Sequence, residues 1–167
     1  MPAEFRVALS GPLDVPGSLE LFRRSGDDLI DRWDGQRFLR AVPIDSVTWA
    51  PVVATLVGSA AAPAFDVVVG DTAHVEAVRQ AIATTLVPAP ADYQRLLAED
   101  PVIARFDARF PGIRQIRQLD LFTALVRCIS AQQVNLRWAV TTRRRLAEAF
   151  GRRYAVGTET VYALDPV

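Results

Sequence analysis

The chain has 167 residues, half of them hydrophobic, which is enough for a sizeable core and for one domain or a little more. Its 19 basic and 19 acidic residues cancel, and an acid at position 4 with no long apolar run behind it excludes a signal peptide. The single cysteine, Cys128, excludes an internal disulfide and lacks partners for a zinc or iron–sulfur site, so it reads as a small core hydrophobe.

In chain order, Phe5, Val7 and Leu9 alternate with Arg6, Ala8 and Ser10, a half-buried strand that ends at Gly11-Pro12. Asp14, with Pro16 behind it, opens a short helix that buries Leu19, Leu21 and Phe22 and closes before Gly26. Residues 29–33 and 36–42 are apolar-rich runs separated by Asp34-Gly35, a hairpin signal that places Trp33 and Phe38 on the sheet. Residues 47–57, with Trp49, and 65–69 supply two more strands, and residues 58–63 read as the loop between them. Residues 46–65 are uncharged for 20 positions, yet Pro51, Gly58, Pro63 and several small polar residues dilute them, and Asp45 and Asp66 flank them. A membrane span is therefore rejected, and a cytoplasmic protein is expected. Asp71 caps a helix with Val75, Val78, Ile82 and Leu86 on one face. His74, in its first turn, has no second ligand at metal spacing and reads as a surface residue.

Pro88-Ala89-Pro90-Ala91 is a stiff break, which divides the chain into an α+β unit over residues 1–88 and a helical part over 92–167. Beyond it, Tyr93, Leu96 and Leu97, then Val102, Ile103, Phe106 and Phe110, define two short helices split by Asp100-Pro101. Phe122, Leu125, Val126 and Ile129 recur at i, i+3, i+4 and i+7 behind the N-cap candidate Asp120, and the expectation is a helix buried on most sides. A polar corner, Ser130-Ala131-Gln132-Gln133, precedes Asn135, which caps a second helix ending at Gly151. That helix is expected to turn Leu136, Ala139 or Val140, Leu146 and Phe150 inward, with Arg137, Arg143, Arg144, Arg145 and Arg152 outside.

The neutral total hides an asymmetry. Residues 1–100 hold 8 Arg against 14 acids, a net of −6, and residues 101–167 hold 11 Arg against 5 acids, a net of +6. A basic half suits a nucleic-acid partner, and a solvated helix face gives the same count. Every basic residue is Arg, a compositional bias that is no handicap on phosphate because the guanidinium offers a fixed fork of donors.

The helix F-x-A-L-V-R-x-I (Phe122, Ala124, Leu125, Val126, Arg127, Ile129), the corner Gln132-Gln133-Val134-Asn135 and the run from Arg145 to Gly151 resemble the helix-hairpin-helix DNA glycosylase domain. The closest resemblance is to the 3-methyladenine DNA glycosylase II family, and the segment LLAEDPVIARFDARFPGIR, residues 96–114, extends it. The resemblance implies an α+β fold: a curved antiparallel sheet with helices, similar to half of the TATA-binding-protein fold, before an all-α glycosylase domain. It implies a base-excision repair enzyme that flips alkylated purines such as 3-methyladenine out of damaged double-stranded DNA and hydrolyses the N-glycosidic bond, with no cofactor, metal or obligate protein partner. Gln133, with Gln132 beside it, matches the residue that fills the hole left by the flipped base. The alternative is that both amides merely satisfy backbone groups at the corner. Asn135, Arg137, Arg143 and Arg144 become candidates for the DNA backbone, against the alternative of a solvated face with pairs such as Arg144–Glu148.

Two features depart from the family. Leu13 and Val15, in GPLDVPG, stand where many members carry pocket aromatics. The family's catalytic Asp follows a loop of the form L-P-G-I-G, whereas here Pro111-Gly112-Ile113 lies too early and runs into Arg114-Gln115, and Asp165 precedes the expected position. The expectation is thus a fragment with no catalytic residue of its own, inactive alone. The alternatives are a non-enzymatic DNA-binding module and a fragment of an 8-oxoguanine-type glycosylase with a catalytic Lys.

Overall fold

A computed structural model describes residues 1–165. Five antiparallel strands, β1 (Ala3–Ala8), β2 (Asp31–Trp33), β3 (Arg37–Pro43), β4 (Trp49–Ser59) and β5 (Ala62–Val69), form one sheet in the order β1-β5-β4-β3-β2. Alternation sends Phe38 and Val42 of β3, Val52 and Ala54 of β4, and Phe65 and Val67 of β5 to one face. Helices α1 (Val15–Leu19) and α2 (Val75–Ala83) close that face, adding Leu19, Phe22, Val78 and Ile82 to a single core. Both helices start on aspartates: the Asp14 carboxylate accepts from Gly17 N at 2.9 Å, and Asp71 accepts from Ala73 N at 3.1 Å in the 3-10 turn that leads into α2.

Two local expectations change. After Leu19 the chain tightens into a 3-10 turn, Glu20–Phe22, which rotates Leu21 out to solvent while Phe22 stays buried. Residues 58–63 are not a loop, because Gly58 pairs with Pro63 and Ser59 with Ala62, leaving Ala60 and Ala61 as the turn. Gly, Ser and Ala carry little strand propensity, but the ladder continues through them once β4 and β5 are in register.

Several surface carboxylates are held by the fold below the usual carboxylate range. Arg6, paired with Asp66 across β1 and β5, lowers that group; backbone N–H groups of Val47 and Thr48 lower Asp45; and Ala73 N–H lowers Asp71. A depressed native pKa stabilises the fold above the unfolded value and is lost as pH falls through the native one. Stability is therefore expected to decline progressively below about pH 4, which an acid titration followed by circular dichroism would check.

The second stretch contains α3 (Tyr93–Glu99), α4 (Pro101–Arg109), α5 (Leu121–Ser130) and α6 (Leu136–Phe150), but it is not all-α. It ends in a hairpin, β6 (Arg152–Val156) and β7 (Glu159–Ala163), turned at Gly157. Val156, Val161 and Ala163 pack on Leu39 and Ala41, so the hairpin covers part of the sheet face opposite α2. The Pro88–Ala91 break is accordingly bridged in space. Tyr162 N donates to Leu29 O at 2.8 Å, Arg117 N to Thr85 O at 2.8 Å and Asp14 N to Gly112 O at 2.9 Å.

Helix α5 also departs from expectation. Thr123 is its one buried residue, while Leu121 (75% exposed), Leu125, Ile129 (64%) and Cys128 face solvent. Cys128 is thus no core hydrophobe. Apolar periodicity identifies the face that seeks burial; of Phe122, Leu125, Val126 and Ile129 only Val126 finds cover among the described residues, against Ile30, Ala147 and Leu164. In α6, Ala139, Val140 and Ala147 are buried as their spacing requires, but Leu136 and Phe150 (79% exposed) are not.

Candidate nucleic-acid interface

The polar corner joins two well-capped helices. Asp120 accepts from Thr123 N at 2.6 Å to start α5, and Asn135 accepts from Trp138 N at 2.8 Å to start α6. Between them Gln132, Gln133 and Val134 are exposed. Gln133 has φ +57, the left-handed region, which costs a side chain other than glycine about 1–2 kcal/mol. Among the described residues neither Gln132 nor Gln133 makes a side-chain hydrogen bond, so these amides do not serve the corner's own backbone. Asn135 does, and its carbonyl oxygen is engaged as the cap.

The candidate arginines separate by environment. Arg143, expected outside, is 8% exposed and points inward. Its Nε donates to Asp28 Oδ2 at 2.8 Å and its Nη1 to Ser130 Oγ at 3.1 Å, so it is not presented to a phosphate. The helical wheel of α6 places residue 143 beside Ala139, Val140 and Ala147, and the buried acid at position 28 lets a charge share that apolar face. Arg144 pairs with Glu148 at 3.0 Å along the exposed face. Arg137 and Arg145 are exposed, and among the described residues no acid reaches them. Arg152, also expected outside, is exposed and donates to Asp165 at 2.9 Å and to Val47 O.

Beneath the corner lies an ion network that no sequence pattern announces as a whole. Asp28 Oδ2 accepts from Arg127 Nη1 at 2.8 Å as well as from Arg143. Arg127 Nη2 donates to Asp31 Oδ2 at 2.9 Å, and Arg40 Nη2 lies 3.0 Å from Asp31 Oδ1. Arg127 stacks over Phe22 and Arg40 over Phe38, each 5.1 Å from the ring centroid, and the two rings stack on each other at 5.7 Å. Burial opposes the charge on Arg127, but Asp31 and Asp28 outweigh it and raise its pKa above the ordinary arginine value. Burial prevails at Arg40 and lowers its pKa despite Asp31. Asp31 faces Arg40 across the β2–β3 ladder, a pairing that the Asp34-Gly35 turn fixes and that could have been read from the hairpin. Nothing in the sequence links position 28 to 127 and 143.

Leu13 and Val15 are buried and help line an apolar cleft of about 420 Å³ with Leu56, Pro63 and Pro111; among the described residues no aromatic ring lines it.

No family model matches this sequence, and no curated protein does. Solved structures do. A 3-methyladenine DNA-glycosylase from Archaeoglobus fulgidus superposes with a TM-score of 0.80 over 96% of this chain and 55% of that one, at 18% identity. This fold is shared with DNA glycosylases. MBOgg1, solved in complex with a low-affinity DNA ligand, matches with a TM-score of 0.65 at 16% identity, over 98% of this chain and 51% of that one. The resemblance to the helix-hairpin-helix DNA glycosylase superfamily read from α5, the corner and α6 is borne out at the level of fold. The chain spans about half the length of the structures it matches.

Proposed function

We propose that the protein is a cytoplasmic base-excision repair DNA glycosylase that acts, without a cofactor, on alkylated purines in damaged duplex DNA, and that the α5–α6 corner is its wedge. The observation that carries this reading is Gln133: an exposed, unbonded amide held in a left-handed conformation between two capped helices. Backbone strain persists where the surroundings over-determine it, and an amide at such a tip can stack into the gap left by a flipped base and hydrogen-bond the estranged partner. The likeness of fold to a protein described as a 3-methyladenine DNA-glycosylase supports alkylated purines as the substrate class. Arg137 and Arg145, exposed on α6, are the cations available to flanking phosphates.

Binding to a duplex with a stable abasic-site analogue, beside an undamaged duplex and across a salt series, tests the wedge. Wild type is expected to prefer the abasic duplex, and Gln133→Ala to reduce that preference roughly 5- to 150-fold, since leaving the polar edge of the estranged base without its partner costs about 1–3 kcal/mol. Equal binding of the two duplexes by wild type removes the wedge reading. Gln133→Gly adds an opposite sign. It is expected to lose the preference and yet gain about 1 kcal/mol of stability, measured by urea unfolding, because glycine adopts φ +57 without strain.

Bond cleavage needs a carboxylate beside an oxocarbenium-like sugar. The acids tied to the corner, Asp28 and Asp31, are both buried against arginines, and neither is free for that role. That observation favours a second reading, a DNA-binding module that does no chemistry. Release of free base from alkylated duplex supports the glycosylase; tight binding without release supports the module.

A further inference from the structure

We infer that Asp28 is a positioning residue that sets the angle at which α5 and α6 present Gln133, an inference that rests on the wedge reading. The two helices that meet at the corner each send one arginine, half-buried Arg127 and buried Arg143, to the same carboxylate oxygen. Arg127, one turn before the end of α5, and Arg143, two turns into α6, both donate to Asp28 Oδ2 at 2.8 Å. Oδ1 of Asp28 accepts from Ile30 N at 3.2 Å, which anchors the carboxylate to the backbone leading into β2. Ser130, the last residue of α5, completes the clasp, its hydroxyl donating to Arg127 O at 3.2 Å and accepting from Arg143 Nη1 at 3.1 Å. A flexible corner would lose the advantage of its strained tip, because a wedge acts only when held at the spacing of the base stack. The sheet unit thereby reaches α5 through two carboxylates, Asp28 and Asp31, but only Asp28 takes both α5 and α6, and charge-assisted bonds from two directions fix its geometry more firmly than apolar packing would.

Arg143→Met is the cleanest test. It cuts the α6 arm and the Ser130 bond, keeps an unbranched apolar stem in place of the arginine's, and leaves two arginines, Arg40 and Arg127, against Asp28 and Asp31, so the remaining charges balance. In the full chain, amides over residues 131–138 are expected to exchange hydrogen at least about tenfold faster than in wild type, with β4 and β5 unchanged. The preference for the abasic duplex is expected to fall about fivefold or more, with undamaged-duplex affinity and salt slope unchanged. Gln133→Ala added to Arg143→Met should cause no further loss of preference, because both act through the same side chain. A loss of affinity equal on both duplexes, with the salt slope reduced by about 1, would make Arg143 a phosphate contact and overturn the proposal. So would unchanged exchange at the corner, or acceleration equal in corner and sheet. Should wild type show no abasic preference, the wedge reading fails by itself and the exchange measurement alone decides the clasp. Asp28→Asn, which cuts both arms, should accelerate corner exchange at least as much.

Discussion

Asp28→Asn is expected to lower the free energy of unfolding by about 3–5 kcal/mol, the range for removing one partner from a buried ion network. Asparagine fills the same space, so the cost is electrostatic. Asp28 is 4% exposed, and the charged groups around it are Arg127 and Arg143, with Asp31 and Arg40 one link further on. Removing its charge leaves three arginines facing one aspartate in a region largely shielded from water. The amide also turns an NH₂ group or a weaker acceptor toward two guanidinium donors that were satisfied before. Urea unfolding should show a lower midpoint with an unchanged m-value, the sign that stability rather than compactness has changed. Asp27→Asn is the internal control. Asp27 pairs with Arg32 at 2.8 Å but is 39% exposed, and solvent screening should hold its loss to about 1 kcal/mol or less. Similar costs for the two variants would mean that the network under the corner contributes nothing beyond an ordinary surface pair.

The same residues show how far the sequence could be read. Elements announced by local rules were legible: the Asp34-Gly35 hairpin, the caps Asp14, Asp71, Asp120 and Asn135, and the polar corner all lie where turn and cap chemistry put them. The β6–β7 hairpin was legible too, since Tyr154, Val156, Val161 and Ala163 alternate about a Gly157 turn; the all-helical family pattern overrode that signal. Facts that depend on long-range pairing were not legible. Asp28 meets its partners 99 and 115 residues away, and no periodicity marks such a contact. Arg143 lies inside for a related reason. Charge on a helix predicts solvent, and only a buried acid brought in by another part of the chain reverses that. The exposed stripe on α5 marks the opposite limit, because periodicity names a face without naming what meets it.

The contact between Gly112 and α1 supplies the other large expected effect. Gly112 is buried at φ +78, and a Cβ there would lie 2.7 Å from Asp14 N and 3.1 Å from Leu13 C, both backbone atoms without freedom to move aside. Its carbonyl accepts from Asp14 N at 2.9 Å, and two residues on, Arg114 N donates to Ser18 Oγ at 2.9 Å, so this short segment stitches the stretch between α4 and α5 to helix α1. The Pro-Gly-Ile triplet that fails as a glycosylase loop therefore has a structural duty. Gly112→Ala adds about 1–2 kcal/mol for a left-handed alanine and about 1–3 kcal/mol for overpacking, together a loss of roughly 2–5 kcal/mol. At this chain length that corresponds to a fall in Tm of about 10 °C, measurable by calorimetry. Gly157→Ala separates the two causes. It has φ +60 with nothing within 4 Å of a new Cβ, so it carries the conformational cost alone, about 1–2 kcal/mol. If the two alanine variants lose the same stability, backbone strain explains both and the stitch between Gly112 and α1 has slack; a clear excess at Gly112 locates the rigidity in that contact.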